Sequence, residues 1–429
     1  MSSEWQSHAL RDLVTIRHGF AFKGEFFSDT HSSLQLVTPG NFAIGGGFQL
    51  GKGKYYAGPV PEDYVLKSGD LIVTMTDLSK NADTLGYAAK VPTTSGTTWL
   101  HNQRVGLIRA KNEDRIDMGY MHYLMRSPSY RQLVVSTATG STVKHTSPDR
   151  ILAFEFELPP IDEQKSIAGL LTTLDDRITL LRETNTLLEQ IAQTIFKSWF
   201  VDFDPVRAKQ EGRMPEGMDE ETAALFPDSF EESELGMVPR GWRVGELQDL
   251  LVLQRGFDLP AADRQPGPFP IIAASGPSGT HEAAMAKGPG VITGRSGVLG
   301  RVFMELDDYW PLNTSLWVKE FRVATPCFAY ELLKQMDLSS FNSGSAVPTL
   351  NRNHIHVLGT LIPASSCVAA YEAIALDLHR RVRANTEQAG ILADLRDTLL
   401  PRLISGKLRL PEAEAMLSST NAASPEPVN

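Results

Sequence analysis

The stretch from residue 162 to 199 constrains the fold more than any other part of the chain. Its apolar residues are spaced alternately four and three apart, which is the a/d pattern of a coiled-coil helix. Pro159 and Pro160 precede the stretch, Asp162 is a suitable N-cap, and Pro205 follows it. Such a helix is roughly 57 Å long at about 1.5 Å per residue, so we interpret it as a spacer. The predicted seam comprises Ile167, Leu171, Leu174, Ile178, Leu181, Asn185, Leu188, Ala192, Ile195 and Trp199.

Asn185 is the polar member of this seam. A buried amide at an a position lowers stability but pairs well in only one register, which favours a role in fixing the register. The alternative is an exposed amide at a point where the seam has drifted away from its partner.

The sequence also contains an internal repeat. Trp5 and the pair Gly19-Phe20 are matched by Trp242 and the pair Gly256-Phe257, with the same spacing in both copies. Gly140-Ser141 recurs as Gly344-Ser345. When the first seam is shifted by the number of residues that separates Gly140 from Gly344, it predicts a second, less regular helix. Its seam residues include Leu378, Val382, Leu392 and Leu399.

These patterns predict a duplicated chain of mixed α/β (α+β) domains and two long helices. Two copies of one unit tend to pair about a two-fold axis, so we expect pseudo-two-fold symmetry and an antiparallel coiled coil. Gly390 and Pro401 interrupt the second helix pattern, and Pro401 is expected to kink or end it. The predicted parts are a domain at 1–158, a helix at 159–204, an acidic linker at 205–240, a domain at 241–363, a helix at 364–410 and a disordered tail at 411–429.

The formal net charge of −10 lies mainly on the first helix and the linker, which leaves the two domains near neutral. Local basic patches for nucleic acid are therefore compatible with an acidic chain. The chain has two cysteines, Cys327 and Cys367, and no apolar run of signal-peptide or transmembrane type. We predict a cytoplasmic protein that does not contact a membrane.

Four segments carry a resemblance to a known family. They are Leu158-Pro-Pro-Ile-Asp-Glu-Gln164, the run from Trp199 to Pro205, the run from Leu235 to Trp242, and the ending Leu399-Leu-Pro-Arg-Leu-Ile-Ser-Gly406. Together they resemble the specificity subunit of type I restriction–modification systems.

The resemblance implies that each domain is a target recognition domain that reads half of a bipartite site in double-stranded DNA. It implies that the helices set the gap between the halves and dock two modification subunits. By the same resemblance, S-adenosylmethionine belongs to those subunits, and ATP and Mg to the restriction subunits of the complex, so no cofactor is expected in this chain.

No catalytic role is expected, because the chain lacks an Asn-Pro-Pro-aromatic or Asp-Pro-Pro-aromatic stretch and a Gly-rich methyl-donor loop. No metal site is predicted either, since His354 and His356 lack further clustered ligands. An orphan DNA-modifying enzyme and a coiled-coil adaptor remain alternatives.

Polar and basic loop residues at matched places of the repeat are the candidate DNA contacts. Hydroxyl and cationic groups bind phosphates, whereas Asn and Gln suit adenine and Arg suits guanine. An ordinary polar surface loop is the alternative for each residue. The candidates are Lys80, Asn102, Gln103, Arg104, Ser141, Thr142, Lys144, His145, Arg295, Arg301, Asn313, Thr314, Ser345, Thr349, Asn351 and Arg352.

The end of the first helix is rich in aromatic residues, which exceeds what a two-helix seam needs. These residues either dock a modification subunit or pack beneath a domain. They are Phe196, Trp199, Phe200 and Phe203.

Overall fold

The computed structural model describes residues 5–343, 347–413 and 415. It divides the chain into two compact units. The first unit extends through Leu180 and resumes at Ala389, and the second comprises Leu181–Gln388. Each unit therefore contains one globular part and one portion of each long helix.

The first unit combines several small sheets with short helices. Its strands are β1 (Gln6–Ala9), β2 (Val14–His18), β3 (Phe27–Ser28), β4 (Leu34–Leu36), β5 (Tyr55–Tyr56), β6 (Leu71–Thr74), β7 (Thr76–Asp77), β8 (Ala88–Lys90), β9 (Thr98–Leu100), β10 (Val105–Ala110), β11 (Lys144–His145) and β12 (Glu155–Leu158). Its helices are α1 (Leu10–Leu13), α2 (Met118–Leu124), α3 (Pro128–Ser136) and α4 (Pro148–Leu152), and the long α5 (Ile161–Phe200) follows.

A four-stranded antiparallel sheet in the order β2-β10-β6-β8 forms the centre of the first unit. All four residues of β6 are buried, which explains why this strand is a continuous apolar run rather than an alternating one. Strands β1 and β12 pair with each other, and this pairing brings the start of the globular part to the N-terminal end of α5. The remaining sheets have the orders β3-β5-β4-β9 and β11-β7.

The second unit repeats this plan. Its elements after α5 are α6 (Asp204–Gln210), α7 (Glu220–Ala224), β13 (Phe230–Ser233), β14 (Gly236–Pro239), β15 (Arg243–Glu246), α8 (Leu247–Leu250), β16 (Leu251–Arg255), β17 (Phe269–Ala273), β18 (Gly276–His281), β19 (Gly290–Gly294), β20 (Val302–Glu305), β21 (Trp310–Pro311), β22 (Ser315–Phe321), α9 (Pro326–Gln335), α10 (Arg352–His356), β23 (Gly359–Ile362) and α11 (Ser365–Ile404). The sheet β16-β22-β19-β20 corresponds to β2-β10-β6-β8, and the pair β15-β23 corresponds to β1-β12.

The glycines of the repeated Gly-Phe pairs are required for the same steric reason in both units. A Cβ atom on Gly19 would lie 2.2 Å from the carbonyl oxygen of Asn102, and one on Gly256 would lie 2.2 Å from that of Leu312. Only glycine permits so close an approach of two backbone segments. The sequence repeat is therefore a repeat of backbone geometry, and the predicted fold class of duplicated mixed α/β domains with two long helices is confirmed.

The long helices run antiparallel within each unit. In the first unit Asp175 pairs with Arg396. Glu163, which precedes Asp175 in α5, pairs with Arg409, which follows Arg396 in the chain. In the second unit the Asn385 side chain donates a hydrogen bond to that of Asn185. Tyr371, which precedes Asn385 in α11, donates to the carbonyl oxygen of Ala192, which follows Asn185 in α5. Gly390 and Pro401 both lie inside α11, which continues to Ile404, so the helix does not end at Pro401.

The predicted seam residues are buried to different degrees along the two helices. Ile167, Leu171, Leu174, Ile178 and Leu181 are buried. The other seam residues range from half-buried to fully buried. Leu188, Ile195, Leu378, Val382 and Leu392 are half-buried, whereas Leu399 is completely buried.

The aromatic residues at the end of α5 belong to the core of the second unit. The Phe200 ring lies 4.9 Å from Phe328, and the Trp199 ring lies 5.2 Å from Phe226, between centroids. Phe196 is buried and Phe203 is half-buried. The burial of Phe196, Trp199 and Phe200 in their own unit favours the alternative that these residues pack beneath a domain, and half-buried Phe203 packs against Phe230 and Trp242.

Two predicted connecting segments contain ordered structure. The segment 205–240 contains α6, α7 and the hairpin β13-β14, and its Val206 and Phe226 are part of the second core. At the other end, Leu408 and Ala413 belong to the core of the first unit, so ordered structure extends into the first residues of the predicted tail. The tail from residue 416 onward lies outside the described residues.

Candidate nucleic-acid interface

Three loops of the first unit meet at one edge of its central sheet. The Thr146 amide donates to the Met75 carbonyl oxygen at 3.0 Å, and the Met75 amide donates to that of Arg104 at 3.0 Å. These bonds place the segments 76–80, 102–104 and 139–145 side by side, and we call them the first loop surface. Eight predicted DNA contacts that are distant in sequence come together there. They are Lys80, Asn102, Gln103, Arg104, Ser141, Thr142, Lys144 and His145.

The third loop is a tight hairpin. Thr139 and His145 exchange backbone hydrogen bonds of 2.9 and 2.8 Å. A Cβ atom on Gly140, whose φ is +93°, would lie only 2.0 Å from the Val143 carbonyl oxygen, so the turn requires glycine. Ser141 and Thr142 are consequently held exposed at its tip.

The first loop is stabilised by the buried carboxylate of Asp77. This carboxylate accepts hydrogen bonds from the Ser79 amide at 2.6 Å and from the Thr84 hydroxyl at 2.7 Å. Burial alone raises the pKa of Asp77, but the hydrogen bonds from Thr84 and Ser79 outweigh it and leave the pKa below its ordinary value. The loop is therefore held in one conformation by charge-assisted bonds.

The side chains on the first loop surface differ in how free they are. Gln103, Arg104 and Lys80 are exposed, and no described residue forms a hydrogen bond or ion pair with their side chains. The side-chain Oδ1 of Asn102 accepts a hydrogen bond from the Arg104 backbone amide at 3.1 Å, which uses part of the hydrogen-bonding capacity of that side chain. Gln103, Arg104 and Lys80 therefore have side-chain hydrogen-bonding groups available for a ligand.

A small cavity of 140 Å³ adjoins these residues. Residues 102–104 form part of its lining, together with Phe22, Phe27 and Lys54. The Lys54 ammonium lies 4.0 Å from the centre of the Phe27 ring, a cation–π contact. Sequence reasoning missed Lys54, because no pattern places the chain after the Gly-rich turn beside residue 102.

The second unit builds the same arrangement with other side chains. The Leu350 amide donates to the Arg295 carbonyl oxygen at 2.8 Å, and the Arg295 amide donates to that of Thr314 at 2.9 Å. Ser343 and Thr349 close the corresponding hairpin with a bond of 2.8 Å. We call the segments 295–301, 313–314 and the described part of 342–350 the second loop surface.

Several predicted contacts of the second unit are engaged in local structure. Arg301 donates to the Ser275 carbonyl oxygen at 2.9 Å, and Arg295 donates to that of Asn313 at 3.2 Å. The Asn313 amide donates to Asp258, which also pairs with Arg255 at 3.0 Å.

The remaining predicted contacts of this unit lie on or beside the second loop surface. The side-chain oxygen of Asn351 caps α10 by accepting a hydrogen bond from the Asn353 backbone amide at 3.0 Å. Arg352 is exposed next to it, and the Thr349 hydroxyl donates to the Val347 carbonyl oxygen at 3.0 Å. Ser345 lies outside the described residues.

A partly buried ionic cluster in the first unit was not predicted from the sequence. Asp175 of α5 accepts from Arg126 at 2.6 Å and from Arg396 of α11 at 2.6 Å. Arg126 also donates to the Gly45 carbonyl oxygen at 2.7 Å. Burial alone raises the pKa of Asp175, but the two guanidinium groups outweigh it and hold the pKa below its ordinary value. The cluster joins the globular part of this unit to both helices.

His356 and the two cysteines are engaged within the second unit. His356 accepts from the Leu253 amide at 2.9 Å, and both Cys327 and Cys367 are buried thiols. Among the described residues, no three His, Cys, Asp or Glu side chains gather closely enough to hold a metal ion. No helix in the described part of the chain is long and apolar enough to cross a membrane.

Comparison with known proteins identifies a DNA specificity domain in the first part of the chain. A family model described as the type I restriction modification DNA specificity domain matches residues 2–190. The MjaIX specificity subunit of Methanocaldococcus jannaschii is 23% identical over 327 residues, which cover 70% of this chain and 71% of that protein. The HindI specificity subunit of Haemophilus influenzae is 25% identical over 348 residues, which cover 65% and 74%.

Structural comparison agrees at the level of the fold. The S subunit of a type I restriction–modification system from M. genitalium has a TM-score of 0.62 at 14% identity, with 94% of this chain and 96% of that chain covered. Residues 2–190 therefore match a type I restriction modification DNA specificity domain, and the chain as a whole shares the fold of that S subunit.

Proposed function

We propose that each unit of this subunit reads one half of a bipartite site in double-stranded DNA. The supporting observation is that the same three-loop framework occurs in both units with different side chains. Gln103 and Arg104 in the first unit correspond to Asn313 and Thr314 in the second, because Phe20 and Phe257 bridge to the residues just before each pair. One framework with two sets of side chains suits two half-sequences.

The first loop surface divides its work between two kinds of contact. Lys80, Lys144 and the hydroxyl groups of the hairpin supply phosphate contacts, which position the protein on the duplex. Gln103 and Arg104 supply base contacts, since a free amide pairs with adenine and a free guanidinium with guanine. The duplex is the ligand of both loop surfaces.

The helices set the gap between the half-sites and dock two modification subunits. Leu187 and Ile191 lie four residues apart on α5, so they share a face, and they are 59% and 47% exposed. Exposed apolar patches on helices are typical of protein interfaces. This pair replaces the buried aromatic residues as the docking candidate within the second unit.

This chain supplies recognition and no catalysis. The methyl donor S-adenosylmethionine belongs to the modification subunits, and ATP and Mg belong to the restriction subunits. The purified chain alone, incubated with DNA and labelled methyl donor, should transfer no methyl group, whereas the mixture with its modification partner should. Methyl transfer by the chain alone would favour the orphan-enzyme alternative.

A domain exchange tests the reading of two independent halves. Residues 242–360 are replaced by the matching segment of a relative, and a reciprocal variant replaces residues 5–158. Methylome sequencing of each strain should show one changed half-sequence, the other half retained and the same gap. Changes in both halves after a single exchange would show that the two units read DNA as one surface.

The gap is tested by deleting one heptad from each long helix. One heptad is roughly 10.5 Å, or about three base pairs of duplex. An active variant should methylate a site with a shorter gap and unchanged half-sequences. An active variant with the original gap would contradict the spacer function.

A further inference from the structure

Two exposed apolar side chains occupy equivalent positions in the two units. Leu78 is 65% exposed and Val298 is 39% exposed. Each lies three residues after the residue that bridges the loops, which is Met75 in the first unit and Arg295 in the second. The equivalence rests on matching backbone hydrogen bonds, so it holds although the two loops share little sequence.

Both side chains project from ordered loops. Leu78 follows directly after Asp77, whose carboxylate accepts from Ser79 and Thr84. The loop of Val298 is closed by the Gly297 amide, which donates to the Pro348 carbonyl oxygen at 2.9 Å, and by the Thr293 hydroxyl, which donates to that of Arg301 at 2.8 Å. Single exposed apolar residues are common, but a repeated one in two ordered loops indicates a shared contact.

The surroundings identify the chemistry of the partner. Leu78 lies between exposed Lys80 and the β7–β11 pair that carries Lys144. Val298 lies between Arg295 and exposed Arg301, and the neighbouring hairpin carries exposed Val347. An apolar side chain flanked by cations fits a surface with phosphates at its rim and an apolar group at its centre. The major groove of DNA presents such a group, the C5-methyl of thymine.

We propose that Leu78 and Val298 are specificity-determining residues, and that each contacts a thymine methyl in its own half-site. The inference rests on the proposed function and deepens it, because it assigns one A·T position in each half-site to an apolar contact. Neither residue carries a charge or a hydrogen-bonding side chain. Each residue therefore favours thymine over bases that lack the methyl group.

Replacement of thymine by uracil provides the test, because it removes only the methyl group. The full chain, assembled with its modification partner, is titrated with duplexes carrying the site mapped by methylome sequencing. Each thymine is replaced by uracil in turn. Wild-type binding should weaken about fourfold at one position in each half-site, the value expected for one buried methyl.

The variants connect each position to its residue. L78A should weaken binding to the thymine duplex about tenfold and abolish the uracil effect in one half-site only. V298A should do so in the other half-site, with a smaller loss because fewer atoms are removed. L235A is the matched control, since Leu235 is a leucine 51% exposed in the turn of hairpin β13-β14, and it should bind as the wild type does.

Several results would overturn the inference. They are wild-type affinity of L78A, a uracil effect that persists in L78A, or a half-site without an A·T pair. A further result concerns duplexes that carry 2-aminopurine in the site. If the wild-type complex raises their fluorescence and the L78A complex does not, Leu78 unstacks bases as an apolar wedge instead of contacting a methyl group. Failure of the proposed function has a different signature, namely absence of sequence-specific binding by the wild-type complex.

Discussion

Asn385 of α11 donates its side-chain amide to the Asn185 carbonyl oxygen of α5 at 2.9 Å. Asn185 in turn donates to the Val382 carbonyl oxygen and to the Thr386 hydroxyl, both at 3.0 Å. Asn385 is buried, so a shift of one helix along the other would leave its amide without a partner. The pair therefore specifies the register of the helices within the second unit, and the alternative of an unpaired exposed Asn185 does not hold.

Removal of Asn385 tests this pair. N385A should lower the free energy of unfolding of the second unit by about 1–3 kcal/mol, because the cavity and the unpaired Asn185 carbonyl both cost energy. Urea unfolding followed by hydrogen exchange on α11 measures the change. T186A, which alters an exposed side chain next to Asn185 on α5, should stay within about 0.5 kcal/mol of wild type. Equal stability of N385A and wild type would contradict the register function.

The double variant N185L/N385L separates stability from specificity. Two apolar side chains remove both buried amides, so the variant should be at least as stable as the wild type. It should also methylate sites with more than one gap length, because the register is no longer specified. Methylome sequencing that shows a single unchanged gap would argue against this effect.

Asp175 makes stability depend on pH in a definite direction. Its folded pKa lies below the ordinary value of 3.8, so its contribution is complete above that value and is lost as the pH falls through the folded pKa. D175N should remove about 3 kcal/mol at pH 7, since Arg126 then stays buried without its counter-charge. The difference between wild type and D175N should shrink below about pH 4. A difference that stays constant down to pH 2 would contradict the ionic origin.

Gln103 and Lys80 should have distinguishable effects on DNA binding by the assembled complex. Q103A should relax the preference for one base in one half-site at little change in salt dependence, because base contacts carry the specificity. K80A should weaken binding to all sequences alike and reduce the slope of log affinity against log salt by about 0.9, the value for one phosphate contact. Binding titrations at several salt concentrations measure both. Equal effects of both variants on all sequences would remove Gln103 from base recognition.

The exposed pair on α5 should control association with the modification subunit. L187E combined with I191E places two charges on an apolar interface and should abolish complex formation in size-exclusion chromatography. The isolated chain should keep its melting temperature, since both side chains are exposed. Q193E adds a charge on another face of α5, at an exposed position, and should leave assembly intact. Normal assembly of the double variant would place the docking surface elsewhere.

Periodic and repeated features were predictable from the sequence because they are local. The a/d spacing from Ile167 to Ile195 identified a helix and its buried face, since burial repeats with the helical period. The glycines at 19 and 256 marked the repeat, because a close backbone approach excludes every other residue at both places. The family resemblance depended on short segments next to these elements.

Only the tertiary structure decided which side chains meet. Arg126, Asp175 and Arg396 are far apart in sequence, and no spacing rule indicates that they form one ionic cluster. The surplus of aromatic residues at the end of α5 was visible in the sequence, but whether another subunit or Phe328 and Tyr371 covered it was not. Leu78 and Val298 likewise became a pair only through matching hydrogen bonds. Sequence periodicity reports that a face is buried, whereas the identity of what buries it is a long-range property of the folded chain.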